Sequence, residues 1–454
     1  MIRSAPPGNG GRRRGSDVRH FGLFASGVVW AAVVAGPALG QTLESELEQV
    51  LSDNPRIVAA QRALEGAGAT TDEAFAAYLP TVELSGDAGY EHTSSPTLRR
   101  AGENPLRADR ESGTLTLTEN IFDGFRRDSA YGAAKLGRSA AEINVGSVTQ
   151  DVLFEAVTAY HEVLRNARLI DIALADEETV KRQLQLEDER VKRGSGIAVD
   201  VLLSKARLQI SKERRVLFEG RLGEAKARYL QVINRPADPA ALIEPTPPVD
   251  QLPEDLDTAV GIALDENPRL RATGRLVEAA DKERDVARSE YFPRLDLVSR
   301  ANWEDDVDGI GGIRKDYSAL LRVTWELFSG FATNARVARA AANYGERLQL
   351  HSDTRRRTAE EVRLAWESLL SARERVGLLQ NAVNIAAEVF DAREKLREAG
   401  KESAINVLDA QSELNTARLN FVNASYDARI AVYRLLRAMG RHTSETLGLK
   451  VANQ

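Results

Sequence analysis

Two stretches in the second half of the chain carry apolar residues at alternating three- and four-residue spacing. This is the pattern of helices that pack along a coiled-coil seam. The first stretch runs unbroken through Val362, Ala365, Leu369, Ala372, Val376, Leu379, Val383, Ala386 and Phe390. The pattern restarts after Gly400 and continues from Val407 to Ala438. The spacing therefore predicts a helical hairpin that reverses at Gly400, because glycine readily adopts the positive φ of a tight turn.

The first half of the chain carries a looser version of the same pattern. Apolar seam positions run from Val152 to Leu174, and others follow the turn sequence Arg193-Gly194-Ser195-Gly196. Residues 106–235 and 294–454 contain no proline, so long helices are permitted in both regions. A helix over residues 126–193 would be about 68 residues and roughly 100 Å long.

Short motifs recur in the same order in both halves and indicate an internal duplication. Asn54-Pro55-Arg56 returns as Asn267-Pro268-Arg269, and Tyr78-Leu79-Pro80 returns as Tyr291-Phe292-Pro293, both displaced by 213 residues. Phe122-Asp123-Gly124-Phe125 returns as Phe328-Ser329-Gly330-Phe331, displaced by 206. The difference places seven extra residues in the first copy, between Pro80 and Leu115.

The duplication and the composition divide the chain into five segments. Five arginines precede an uncharged stretch from Phe21 to Gly40, which predicts an export signal over residues 1–40, cleaved before Gln41. The alternative is a membrane anchor over the same stretch. The first repeat is predicted at 41–235, a proline-rich connector at 236–254, the second repeat at 255–440 and a C-terminal tail at 441–454.

Each repeat also contains two segments in which apolar and polar residues alternate with period two, as in β-strands. In the second repeat, Tyr317, Ala319, Leu321 and Val323 alternate with mostly polar residues. Segments of about ten residues suit strands tilted across a bilayer. The alternation fits equally two soluble hairpins packed on the helices. In a membrane, four strands cannot close a barrel, so copies of the chain would pool strands as a dimer of eight or a trimer of twelve.

Composition argues against several other functions. The chain has 61 Lys and Arg against 67 Asp and Glu, a net charge of −6, and no cysteine. This charge argues against a nucleic-acid partner, and the missing cysteine excludes thiolate chemistry, Cys-based zinc sites and an acylated N-terminus. The five histidines show no metal-ligand spacing. Gly309-Ile310-Gly311-Gly312 fits a hairpin tip better than a dinucleotide loop. No enzymatic activity, cofactor or resident metal is expected.

The order helix, strand pair, long helical hairpin, repeated once, resembles the TolC family of outer-membrane channel proteins over essentially the whole predicted mature chain. The motifs that carry the resemblance are the Asn-Pro pairs, the Tyr-Leu-Pro and Tyr-Phe-Pro segments, the Phe-Asp-Gly-Phe and Phe-Ser-Gly-Phe segments, and Asn406-Val407-Leu408-Asp409-Ala410 after Gly400. The fold class implied is α+β, mainly long coiled-coil hairpins that form a periplasmic α-barrel. Four strands per chain would contribute to a shared trimeric twelve-stranded transmembrane β-barrel.

The resemblance also implies partners and a location. A homotrimer would sit in outer-membrane lipid of a Gram-negative bacterium and extend into the periplasm. A periplasmic adaptor (membrane-fusion) protein and an inner-membrane ABC or RND-type transporter would engage the helical tips. Family members serve type I protein secretion or drug and metal efflux. The missing lipidated cysteine favours the secretion branch. The alternatives are an efflux duct of the same family and, from another class, a soluble periplasmic coiled-coil adaptor.

Candidate functional residues lie at the two predicted hairpin tips. Asp200 and Asp409 each fall within the first turns of a returning helix, where threefold symmetry would form carboxylate rings that favour cations. The alternative is ordinary solvated charges on helix surfaces. Gly194, Gly196 and Gly400 are expected to form the turns, which an adaptor would also contact.

The resemblance adds a gate to these tip residues. It implies an acidic constriction at Asp409. Asn406 stands where the strongest gates of the family carry Asp, so its ring would be neutral. Glu402 replaces a basic gating residue found in some relatives, and Arg193 could replace the missing basic partner from the neighbouring hairpin.

Overall fold

The computed structural model describes residues 41–102 and 106–449; the export signal predicted over residues 1–40 lies outside this part of the chain. The first repeat contains helices α1 (Leu43–Asp53) and α2 (Pro55–Ala76), strand β1 (Thr81–Thr93), helix α3 (Pro96–Ala101), strand β2 (Leu106–Phe122), and helices α4 (Arg126–Lys192) and α5 (Ala198–Ile233). The second contains α6 (Leu256–Glu266), α7 (Pro268–Ser289), β3 (Arg294–Asp305), β4 (Ile313–Thr324), α8 (Ala332–Glu398) and α9 (Ala404–Met439).

The predicted duplication is confirmed by the helix boundaries. A displacement of 206 residues carries both ends of α4 onto those of α8, and both ends of α5 onto those of α9. A displacement of 213 does the same for α1 and α6 and for α2 and α7. The long helices α4 and α8 have 67 residues each, close to the predicted length. The extra residues of the first repeat include α3, between its two strands.

The four strands form one antiparallel sheet in the order β1-β2-β3-β4, not two separate hairpins packed on helices. Strands β2 and β3 join the two repeats, and Gly309 to Gly312 lie in the β3–β4 connection, as predicted. The strands have 12 to 17 residues, longer than expected from the alternation. One face is apolar across all four strands, for example along the row Leu84, Leu115, Ala301 and Tyr317. The neighbouring row on the other face is polar: Ser85, Thr114, Asn302 and Asp316.

The largest apolar core joins α1, α4, α5 and α9 near the bases of the two hairpins. Three tyrosines at its centre are buried: Tyr160, Tyr229 and Tyr433. His161 and His442 are also buried beside them, and burial lowers the pKa of each imidazole to about 4. His442 belongs to the segment predicted as a tail, so residues that follow α9 pack onto this core.

The Asn-Pro motif joins the helices at the base of each repeat. The Asn54 side chain accepts a hydrogen bond from Arg56 N at 3.0 Å, which caps α2, and its Nδ2 donates to Val232 O near the end of α5 at 3.3 Å. Asn267 repeats both contacts, with Arg269 N at 3.0 Å and Ala438 O at 3.0 Å. One amide therefore satisfies backbone groups at the start of one helix and the end of another.

The second recurring motif forms the corner between sheet and hairpin. Phe125 and Phe331 both have a φ of 66°, in the left-handed region that disfavours a Cβ. Each phenylalanine stacks edge-on against the phenylalanine three residues earlier. Asp123 accepts hydrogen bonds from the backbone of Arg126 and Arg127, which satisfies free N–H groups at the start of α4. The motif thus positions each long hairpin below the sheet.

Replacing Asn267 with alanine should lower the free energy of unfolding by about 1–3 kcal/mol, because Ala438 O and the α7 N-terminus each lose a buried partner. The change is measured by thermal or denaturant unfolding followed by circular dichroism. Asn384→Ala, at an exposed position of α8, is the control and should change stability by less than about 0.5 kcal/mol. Equal effects of the two substitutions would contradict the assigned role of Asn267.

Candidate functional site

The two hairpin tips have the same turn geometry. Ser195 N donates to Arg190 O at 3.0 Å at the first tip, and Lys401 N donates to Leu396 O at 2.9 Å at the second. Gly194 and Gly400 have positive φ values of 77° and 70°. A Cβ on Gly196 would lie 2.7 Å from Val191 N, so this glycine allows the chain to approach itself closely. The predicted role of the three glycines in the turns agrees with this geometry.

At the second tip, the structure brings Glu402 and Asn406 together, as the sequence places them one helical turn apart. Glu402 Oε1 accepts hydrogen bonds from Asn406 Nδ2 at 2.6 Å and from Ser403 N at 2.9 Å. These hydrogen bonds lower the pKa of the Glu402 carboxyl below its usual value, so it stays ionised at neutral pH. Ser403 also caps α9 by accepting from Asn406 N at 3.3 Å.

Arg397 links the second tip to the first hairpin. Its Nη2 lies 2.7 Å from each carboxylate oxygen of Glu187 on α4, and Glu187 is only 2% exposed. Arg397 Nη1 also donates to Glu402 O at 2.9 Å, and Asp200 lies 4.0 Å from the guanidinium. A buried carboxylate needs such a partner, since desolvation of an unpaired charge is costly. Arg397 therefore links the two tips through a buried carboxylate.

Asp409 lies farther along α9 and pairs with a different arginine. Arg207 Nη2 of α5 donates to Asp409 Oδ1 at 2.6 Å, and both side chains are about half exposed. Arg193, the predicted replacement partner, instead pairs with Glu189 of its own helix at 3.2 Å and is largely exposed. The role of Arg193 as a replacement gating partner stays a prediction.

A buried polar cluster joins the two hairpins above the tips. Asp176 of α4 accepts hydrogen bonds from Ser211 of α5 at 2.7 Å and from Gln411 of α9 at 3.1 Å. Asn415 donates to the same carboxylate. All four side chains are buried. The contact between α4 and α9 is therefore polar and specific at this level.

Sequence reasoning missed Arg397, Arg207 and Asp176. Arg207 and Arg397 could not be distinguished among 61 basic residues without knowing which helices are adjacent. Glu187 did carry a signal, because it follows buried Val180 by one heptad and is an acid at a seam position. An acid at such a position indicates a paired contact with another helix.

No group of three or more His, Asp or Glu residues within 41–102 and 106–449 is arranged to hold a metal ion. In the same part of the chain, no helix combines the length and the apolar composition needed to cross a bilayer. The tips instead provide acidic side chains held in place by arginines. Such a cluster can restrict passage between neighbouring helices and can be opened by breaking ion pairs.

Comparison with known proteins gives consistent matches. The family model described as "Outer membrane efflux protein" matches residues 47–234 and 259–441, once for each repeat. The "Outer membrane efflux protein BepC" of Brucella suis is 24% identical over 95% of this chain and 92% of its own. The "Alkaline protease secretion protein AprF" of Pseudomonas aeruginosa is 24% identical over 83% of this chain and 80% of its own.

Solved structures show the same fold. The outer membrane protein VceC of Vibrio cholerae superposes with a TM-score of 0.77, covering 88% of this chain and 96% of its own at 19% identity. The α+β architecture of long helical hairpins below a four-stranded sheet is thus that of an existing fold.

Replacing Arg397 with alanine should loosen the first tip, because Glu187 would keep only Arg190, at 3.4 Å, as a partner for its buried charge. We expect faster hydrogen–deuterium exchange in residues 183–203, measured by mass spectrometry. The double variant R397A/E187Q should restore part of the protection, since it removes the buried charge. Arg193→Ala is the control, because it breaks only an exposed ion pair. It should leave hydrogen–deuterium exchange in α4 before Glu189 unchanged. Equal exchange in R397A and the wild type would contradict the linking role.

Proposed function

This chain belongs to the family of outer membrane efflux proteins, and we propose that it is the exit duct of a tripartite export system. It is an outer-membrane channel protein of the TolC family and not an enzyme. In the proposed role, substrates pass from an inner-membrane transporter through the periplasmic helices and leave across the outer membrane. The chain itself supplies a passive route, and the transporter supplies the energy.

The observation that carries the proposal is the four-stranded sheet with one apolar face and two open edges. Leu84, Tyr317 and Leu321 on the apolar face are at least 68% exposed in the single chain. Strands β1 and β4 each have only one neighbour, so one row of backbone groups on each strand has no partner in the sheet. Lipid cannot satisfy such groups, so the edges must pair with other copies. A homotrimer would provide twelve strands, enough for a closed barrel.

The sheet also weighs against the soluble adaptor. An adaptor would use the long hairpins as spacers and would have no need for an apolar sheet face. In this chain the apolar row Leu84, Leu115, Ala301 and Tyr317 runs across both repeats and covers no helical core. The whole sheet is explained if that face meets lipid and the polar face lines an aqueous interior.

We propose that the hairpin tips form the periplasmic gate. Threefold repetition would place Asp409 in a carboxylate ring, with the neutral Asn406 and the ionised Glu402 closer to the tip. Within each chain, Arg207 neutralises Asp409 and Arg397 binds Asp200, Glu187 and the Glu402 carbonyl. These pairs would hold the tips closed. An adaptor that contacts the turns at Gly194, Gly196 and Gly400 could break them.

For the transported substrate, we propose type I protein secretion through a periplasmic adaptor and an ABC transporter. AprF, whose name states secretion of alkaline protease, supports this branch. The second candidate is drug or metal efflux with an RND-type transporter. The name of BepC, an efflux protein, supports it.

Two experiments test the proposed function: membrane fractionation of wild-type cells, and a comparison of wild-type cells with cells in which the gene is deleted. The protein should co-fractionate with outer membrane and need detergent for extraction. Loss of a protein from the culture medium on deletion would support secretion, and increased sensitivity to toxic compounds without that loss would favour efflux. A monomer that is stable in water without detergent would overturn the duct.

Removing the carboxylates of the gate should raise the single-channel conductance of purified protein in planar bilayers. We expect this for the double variant D409A/E402A, because the ion pair to Arg207 and the hydrogen bonds at the second tip are both lost. Glu224→Ala, an exposed acid of α5 far from the tips, is the control and should conduct like the wild type. If D409A/E402A conducts no better than the control, the gate does not lie at these residues.

A further inference from the structure

Helix α8 carries an uncovered row of large apolar side chains. We name it the α8 stripe: Leu364, Leu378, Ile385, Val389 and Leu396. They follow a helical spacing that places them on one side of α8, and their exposed fractions run from 39% to 64%. This side differs from the seam with α9, which contains Val362, Ala365 and Leu369. An apolar row of this length on a helix indicates a surface that another helix covers.

The repeat shows what covers the equivalent surface of the first hairpin. The 206-residue displacement maps the α8 stripe onto Thr158, Ile172, Thr179, Gln183 and Arg190 of α4. That side of α4 packs on α9 of the same chain. The contact includes Arg165 with Asp427 at 2.9 Å and the buried Asp176 with Gln411 at 3.1 Å. By equivalence, α8 should pack on a helix that takes the place of α9.

Helix α5 is the repeat equivalent of α9, and the side of α5 equivalent to the α4-facing side of α9 is also exposed. Leu408 of α9 is 4% exposed, whereas its equivalent Leu202 on α5 is 64% exposed. Leu436 is fully buried, whereas its equivalent Leu230 is 49% exposed. Within the described residues of one chain, α5 and α8 meet at the tip, where Asp200 lies 4.0 Å from Arg397, and no extended packing joins them. Both uncovered surfaces are therefore available to a second chain.

Charges at matched positions support the same pairing. Leu169 of α4 and Leu419 of α9 lie in one apolar cluster between the two helices. The repeat places Arg375 of α8 and Glu213 of α5 at the equivalent positions. Neither of these side chains forms an ion pair within the described residues 41–102 and 106–449. An unpaired base and an unpaired acid thus occupy positions whose equivalents belong to one apolar cluster between α4 and α9.

We propose that the α8 stripe is covered by α5 of a second copy of this chain, with Arg375 of one copy paired to Glu213 of the next. The seam between copies is then mainly apolar with one ion pair, whereas the equivalent seam inside each chain combines apolar contacts with the buried polar cluster around Asp176. The inference rests on the proposed assembly of copies and adds to it which helices meet, in which register and by what chemistry.

Engineered cysteines test the register directly, because the chain has no native cysteine. The full chain carrying both R375C and E213C is oxidised in outer membranes, and the products are separated without reductant. We expect covalent species of two and three chains as the major products, and only dimers at most from each single variant. The matched control is L169C/L419C, the equivalent pair inside one chain, which should link within the monomer.

The possible results distinguish failure of the proposed α5–α8 contact from failure of the proposed oligomer. If lysine cross-linking shows the wild type to be oligomeric but R375C/E213C gives no interchain ladder, the proposed seam is wrong while the duct stands. If the wild type shows no oligomer, both proposals fall. Charge exchange provides a second test: R375E should lower the melting temperature of the oligomer, and R375E/E213R should restore it. Failure of the exchange to restore stability in a folded double variant would also overturn the pairing.

Discussion

Hydrocarbon offers no hydrogen bonds, and this constraint determines how the sheet of this protein can be used. The order β1-β2-β3-β4 leaves β1 and β4 as edges, while the apolar face across all four strands favours lipid. A lone sheet of this kind would leave a row of N–H and C=O groups unsatisfied at each edge. Pairing β4 of one copy with β1 of the next removes both edges at once. Assembly is therefore a condition for membrane insertion in this proposal.

The long helices also have surfaces that need a partner, and here the contacts are made by side chains. Both repeats have the same helix lengths, so both hairpins have equivalent surfaces. In the described chain, α9 packs on this surface of α4, whereas the equivalent surface of α8 is exposed. The surface of α4 that meets α9 includes a polar cluster, with Asp176 buried among amides and a hydroxyl, beside apolar contacts. The equivalent surface of α8 is apolar. Buried polar contacts specify one geometry, whereas apolar surfaces tolerate small relative shifts. The two surfaces thus suit a fixed contact inside the chain and an assembly contact outside it.

At the tips, arginines neutralise acids that would otherwise repel one another or be buried unpaired. Among these arginines, Arg397 is the one that pairs with a buried acid, because Glu187 is almost inaccessible to water. Arg207 and Asp409 are more exposed, so their pair contributes less to stability and can be broken more easily. In the proposed gate, the buried pair would keep the hairpins together, and the exposed pair would open when a partner binds.

The amino-acid sequence by itself determined the elements and their duplication. Apolar spacing predicted the long helical hairpins, and α4 ends within one residue of the predicted range 126–193. Glycines located the reversals, and repeated motifs showed two copies, because these signals are local and recur along the chain. The sequence also located Glu402, Asn406 and Asp409 near one tip. Only the tertiary structure decided which charges meet: Arg397 reaches Glu187 across 210 residues, and Arg207 reaches Asp409 across 202. It also paired Arg193 with Glu189 of its own helix. Ion pairs depend on distances of a few ångströms between side chains on different helices, and helical periodicity gives the facing side of each helix but not its neighbour.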